Sequence, residues 1–222
     1  MNSIEAYKRF QLKLNSLANS DNVDISEGEF VLIYNEQQVN WYEDNFKNVS
    51  SKFKTSDVQK LVERDLNLTL IREHEDYVNF KLPENYLDYI SSYSKCTKGN
   101  CSDRRIRNYQ IQLPNRELFY RDNFNNPSFE YSETFITVSS DGLQVYKTDF
   151  DVNKVYLTYY RYPINIDIEG YIKIDQTPST TINPELTDDF VNEIIDRCVA
   201  DVQRSFENTG GYQLAQDRVN RD

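Results

Sequence analysis

Glycine, proline, cysteine and histidine are all scarce: six glycines, six prolines, three cysteines and one histidine in 222 residues. Six glycines leave little from which to build a phosphate-cradling loop. No Walker loop, dinucleotide glycine pattern or HExxH helix occurs. Cys96, Cys101 and Cys198 are too few and too odd for a disulfide framework, and read as reduced thiols. Cys96 and Cys101 have C-x4-C spacing, but only Cys198 and His74 remain to complete the four ligands zinc usually takes. His74 lies between Glu73 and Glu75 with no nucleophile placed beside it, so it reads as part of a solvated turn rather than as a general base. Asp21, Asp24, Glu27 and Glu29 do not match a calcium loop. Nothing singles out a carboxylate pair for glycoside hydrolysis. No catalytic residue, cofactor or metal is therefore assigned, and the chain is expected not to be an enzyme. No apolar run approaches the ~18 residues of a transmembrane helix. The opening MNSIEAYKRFQLKLN has no apolar signal core, so neither membrane insertion nor secretion is expected. Asn48-Val49-Ser50 and Asn67-Leu68-Thr69 then read as chance glycosylation matches.

What is present is acid and aromatic. There are 36 carboxylates against 25 Lys and Arg, a net charge of -11, which argues against a general nucleic-acid binder. Seventeen Tyr, twelve Phe and one Trp supply a core that a disordered chain would lack. No internal repeat is visible.

Helical spacing predicts a first helix over 3–18, with Ile4, Tyr7, Phe10, Leu14 and Leu17 on one face. Ser26 and Glu29 form a capping box. A second helix follows to about Asn48, carrying Leu32, Val39, Tyr42, Phe46 and Val49, with Trp41 beside them. Ser56 and Gln59 repeat the capping pattern for a short helix with Val58, Leu61 and Val62. Val78, Phe80 and Leu82 alternate as a strand. Pro83-Glu84 is expected to reopen a helix with Tyr86, Leu87 and Ile90, and Cys96–Cys101 to be a loop. Residues 104–175 read as all-β: Tyr109, Ile111 and Leu113 alternate, Asp141-Gly142 joins Phe135–Val138 to Leu143–Tyr146 as a hairpin, and Val155–Tyr162 is a strand bulky on both faces, ended by Pro163. Asn183-Pro184 is expected to cap the last helix, whose stripe is Phe190, Val191, Ile194, Ile195, Cys198, Val202 and Phe206. Gly210-Gly211 stops it. The expected fold is α+β: a helical bundle with an inserted antiparallel β sandwich or barrel-like segment and an extended C-terminal arm. The expected divisions are a helical layer over 1–103, a β segment over 104–178, the C-terminal helix over 179–209 and an arm over 210–222.

Two stretches are candidate interfaces. Lys95, Lys98, Arg104, Arg105 and Arg107 are concentrated cations in an acidic chain. They read either as a solvated loop or as a contact with an acidic neighbouring subunit or with nucleic-acid phosphates. The tail carries Tyr212, Leu214 and Val219, enough for an extended arm docked on another chain.

Three segments in order carry a family resemblance: Leu82-Pro83-Glu84-Asn85-Tyr86-Leu87-Asp88-Tyr89-Ile90; the aromatic strand and hairpin from Phe129 to Val145; and Val155-Tyr156-Leu157-Thr158-Tyr159-Tyr160-Arg161-Tyr162-Pro163 leading to the helix and its Gly-Gly tail. Over roughly 80–215 they resemble the head-to-tail connector (adaptor or tail-tubular) ring proteins of tailed phages, nearest the short-tailed crAss-like phages. The resemblance implies a virion structural protein assembled in the host cytoplasm as a ring, usually a dodecamer. Its partners would be further copies of itself, the portal protein and the adjacent tail rings. Double-stranded DNA would pass through the lumen without sequence-specific binding, and no membrane would be involved. It carries over no individual site residue. An acidic lumen fits sliding DNA, and abundant Tyr suits subunit interfaces. A competing reading is a carbohydrate- or receptor-binding β module of a phage tail, with Tyr156, Tyr160 and Tyr162 as stacking platforms.

Overall fold

A computed structural model describes residues 1–17, 24–47, 59–122 and 124–205. The chain divides into two units, one formed by Met1–Lys60 with Pro163–Asp222 and the other by Leu61–Tyr162. The fold is α+β, with a mixed sheet curled into a half-barrel. The β unit is thus an insertion in a unit made from both ends of the chain.

In the helical unit, α1 spans Ser3–Leu17, α2 Glu27–Lys47 and α4 Asp188–Ser205, while α3 (Arg116–Arg121) belongs to the β unit. Ala6, Phe10 and Leu14 of α1 are fully buried, whereas Ile4 is exposed, so the buried face is turned slightly from the expected one. In α2 the buried face is Phe30, Val31, Tyr34, Trp41 and Tyr42, and Leu32 is exposed. Phe10 and Phe30 rings meet at 5.0 Å, and Trp41 and Phe190 at 4.9 Å. The stripe of α4 from Phe190 to Val202 is buried as expected. Polar contacts fix the helix register: Lys13 Nζ meets Asp196 at 2.8 Å and Arg197 meets Asp44 at 2.8 Å. The capping box forms as read. Glu29 N–H donates to Ser26 Oγ (3.3 Å), and Ser26 N–H donates back to the Glu29 carboxylate (2.9 Å).

Asn183-Pro184 does not cap α4. That helix starts after Thr187, whose carbonyl accepts the Val191 N–H, and residues 167 and 182 are joined by a β-bridge upstream. Asn183 serves α1 instead: its Oδ1 accepts the Ser3 N–H at 3.0 Å, while Asn2 Oδ1 accepts the Glu5 N–H at 2.7 Å. Two of the donors left over at a helix start are satisfied. The segment between Pro163 and Ile182 is anchored by buried Asp167. It accepts from Tyr171 Oη (2.8 Å), Ile168 N–H (3.0 Å) and Thr180 N–H (2.9 Å), and pairs with Lys173 Nζ at 2.8 Å.

The β unit contains β1 (Val62–Asn67), β2 (Thr69–Glu73), β3 (Tyr77–Lys81), β4 (Tyr86–Lys98), β5 (Cys101–Gln110), α3 (Arg116–Arg121), β6 (Glu133–Ser139), β7 (Gly142–Tyr146) and β8 (Asp151–Arg161). The sheet order is β1-β8-β4-β5-β6-β7-β3-β2. The two end strands are one run of chain interrupted only by Leu68, so the sheet must curl until its ends reach the same residue. Leu68 is buried at that corner, and its N–H donates to the Val155 carbonyl at 2.9 Å. Inward positions form one apolar core that includes Leu68, Phe80, Ile106, Ile136, Val155 and Leu157.

Several expectations are corrected. The helix expected after Pro83 is the long strand β4, which pairs with β8 from Tyr86 opposite Arg161 to Thr97 opposite Asp151. The loop expected at Cys96–Cys101 is the tight end of the β4–β5 hairpin, with Lys98 paired to Cys101 across Gly99-Asn100. The short helix at 58–62 is a 3-10 turn, Gln59–Leu61, running into β1; Ser56, Val58 and the rest of 48–58 lie outside the described residues. The helical layer therefore does not extend to 103, the strands begin at Val62, and residues 163–178 belong to the helical unit. All strand pairs are antiparallel except β5 and β6, which are parallel; the connection between them holds α3 and is long enough for the crossover that parallel strands require. The β6–β7 hairpin forms, but Ser139 pairs with Gly142, so Ser140-Asp141 is the loop. Gly142 has φ +125°, and a Cβ there would lie 2.3 Å from the Phe80 carbonyl oxygen of β3. The glycine is required by strand approach as well as by conformation.

Candidate functional site

The β4–β5 hairpin carries all five cations singled out in the sequence, and strand alternation sorts them. Lys98 turns to Glu130 and Asp149, 2.5 Å from each. Arg104 donates to Ser132 Oγ (2.9 Å) and the Glu130 carbonyl (3.0 Å). These two hold local structure together. Lys95, Arg105 and Arg107 stand on the outer face, where β8 adds Lys154.

The register makes two rows across β8, β4 and β5. In one row Lys154, Lys95 and Arg105 are directly opposed; in the other Tyr156, Tyr93 and Arg107 are. The cations lean onto the rings. Arg105 Cζ sits 3.8 Å from the Tyr93 centroid, Lys95 Nζ 5.8 Å from Tyr156, and Arg107 Cζ 4.7 Å from Tyr109. Tyr93 and Tyr156 stack with centroids 4.9 Å apart. Among the described residues no carboxylate lies within ion-pair distance of Lys95, Arg105, Arg107 or Lys154. Asp65, Ser91, Tyr93, Arg105 and Arg107 line a shallow concavity here, and Asp65 is its one acid.

Three like charges opposed across adjacent strands, ~5 Å apart, destabilise a sheet. The cation–π contacts offset part of that and hold the long side chains in place. Behind the strip the sheet is pinned by a buried polar ladder: Ser94 Oγ donates to Asn108 Oδ1 and Asn108 Nδ2 to Ser92 Oγ, each at 2.9 Å. The arrangement can attract a surface rich in carboxylates or phosphates, and its covered ring faces leave little platform for a stacked sugar.

Lys154 was missed in the sequence because its neighbours lie on a strand more than fifty residues away; its parity with Tyr156 was the available signal. Tyr212, Leu214 and Val219 lie, with the whole arm, outside the described residues. Tyr160 and Tyr162 are half-buried and exposed, respectively. Burial and then the Asp151 carboxylate push the Cys96 thiol up to about 12. Cys198 is buried and raised as well, so neither is a ready nucleophile. His74 stacks on Tyr77 at 4.3 Å. No cluster of metal-ligating side chains occurs among the described residues.

A second feature lies in the helical unit. The start of α2 and the segment 165–182 enclose a groove lined by Glu27, Leu32, Asn35, Tyr171, Ile172 and Ile174, among others. Leu32, Ile172 and Ile174 are 57%, 75% and 88% exposed, an apolar patch that sequence periodicity did not indicate. The chain matches no protein-family model and no curated protein.

Proposed function

We propose that this chain is a structural subunit of a tailed-phage head-to-tail connector: copies form a ring beneath the portal, line the DNA channel and link the capsid vertex to the tail. The reading rests on the ordered segments that resemble connector proteins. It is supported by a helical unit built from both chain ends and by a half-barrel inserted between them in the sequence. The observation that carries it is the row Lys154–Lys95–Arg105. The opposed cations repel one another and the ring contacts offset only part of that, so an external surface with acid groups would relieve the row, and assembling subunits supply such a surface.

The test is the amount of this chain relative to portal protein in purified particles, by quantitative mass spectrometry. A ratio near one is expected; absence from particles overturns the reading. The competing carbohydrate-binding reading needs accessible rings, yet Tyr156 is stacked on Tyr93 with Lys95 over it. Glycan-array binding lost on Tyr160→Ala or Tyr162→Ala would restore it.

A further inference from the structure

The geometry points to a second copy of this chain as the partner of two surfaces: the cation–aromatic strip of one copy docks on the acidic, apolar groove beside α2 of the next. This rests on the reading of the chain as a ring subunit and names the contact that would build the ring.

The two surfaces are complementary in charge. The strip offers Lys95, Arg105, Arg107 and Lys154 with no carboxylate in ion-pair distance among the described residues. Helix α2 brings Glu27 and Glu29 to the groove and carries Glu36 further along, while its Asp44 is already taken up by Arg197 at 2.8 Å. Glu29 and Glu36 are exposed, as is Asp175 across the groove. The groove's own cation, Lys173, is taken up by Asp167 at 2.8 Å. Copies at -11 each repel one another at long range. They can associate only where local complementarity reverses that sign.

The surfaces also match in apolar character. Exposed ion pairs contribute little affinity and mainly set orientation and encounter rate. Leu32, Ile172 and Ile174 provide apolar area that the Tyr rings and the methylene stems of Lys and Arg can cover. Because the rings and cations of the strip already hold each other, little side-chain freedom is lost on docking. The two patches differ, so the contact is head-to-tail, and repetition gives a closed ring or a filament.

The intact chain is tested by sedimentation velocity over a concentration series at low and high salt. Two charge reversals are compared: Arg105→Glu with Arg107→Glu, and Glu27→Lys with Glu36→Lys, which leave the Ser26–Glu29 capping box intact. Arg105, Arg107 and Glu36 are exposed and Glu27 is half-buried, and circular dichroism verifies folding. The wild type associates. Each reversed chain associates about tenfold or more weakly, with a smaller salt dependence, and an equimolar mixture of the two reversed chains recovers hetero-association through the swapped pair. Association unaffected by either reversal overturns the pairing. A chain that stays monomeric at every concentration also overturns it, while a portal-matched count in particles would leave the ring reading standing. Duplex DNA binding that is lost in Arg105→Glu/Arg107→Glu, without any change in self-association, assigns the strip to phosphates and overturns the inference.

Discussion

Asn183 accepts the backbone N–H of Ser3 through its Oδ1 at 3.0 Å, 180 residues away in sequence. The first helix is therefore capped by a residue that arrives with the last quarter of the chain. Asn183→Ala is expected to cost ~1 kcal/mol, as for other cap deletions. Urea unfolding gives the cost, and amide exchange at Ser3 shows whether the loss is local. An unchanged midpoint with unchanged exchange rejects the capping role.

Gly142→Ala meets two obstacles at once, a φ of +125° and a Phe80 carbonyl 2.3 Å from the new Cβ. A loss of ~2 kcal/mol or more is expected. Gly99, with φ +56° and no atom within 4 Å of a built Cβ, is the control. Its substitution by Ala should cost ~1 kcal/mol. Equal costs at the two sites would remove the steric argument.

The Asp167 carboxylate is penalised by burial, but the Lys173 ammonium, Thr180 N–H, Tyr171 hydroxyl and Ile168 N–H outweigh that and hold its pKa at about 2, below the ordinary aspartate value. A pKa lowered in the folded state contributes stability above the unfolded value, which is lost as pH falls through the folded one. The helical unit should lose ~2 kcal/mol between about pH 4 and pH 2 from this group. Asp167→Asn should be less stable at pH 7 and should lack that part of the acid dependence. Parallel pH profiles for the two proteins would show that Asp167 is not the source.

Lys154→Gln removes one of three opposed cations. The isolated chain should become more stable by ~0.2–1 kcal/mol at low salt, and the gain should shrink at high salt. Thermal melts at two ionic strengths measure it. A loss of stability would mean that Lys154 has a structural role of its own.

Much of the helical unit could be read from sequence because its signals are local. The Ser26–Glu29 capping box and the α4 stripe each need only a few neighbouring residues. The strand β3 and the β6–β7 hairpin were legible for the same reason. β4 was not. Its period of two is broken by bulges near Asp88, Ser91 and Cys96, and Tyr86, Leu87 and Ile90 then mimic helical spacing. The Gly99-Asn100 turn was a usable hairpin signal that the helix reading hid. The cation strip depends on β8 lying beside β4, a pairing between distant segments, so sequence supplied Lys95, Arg105 and Arg107 but not their row.

The helical unit made from both chain ends sets the order in which a newly made molecule can finish folding. About 140 residues separate the end of α2 at Lys47 from the start of α4 at Asp188. At a synthesis rate of ~5–20 residues per second, the wait lasts on the order of ten seconds. Through that interval Phe10, Phe30 and Trp41 have no α4 to cover them, and Ser3 has no Asn183. The first helices of a nascent chain are therefore expected to wait without their partner until α4 leaves the ribosome.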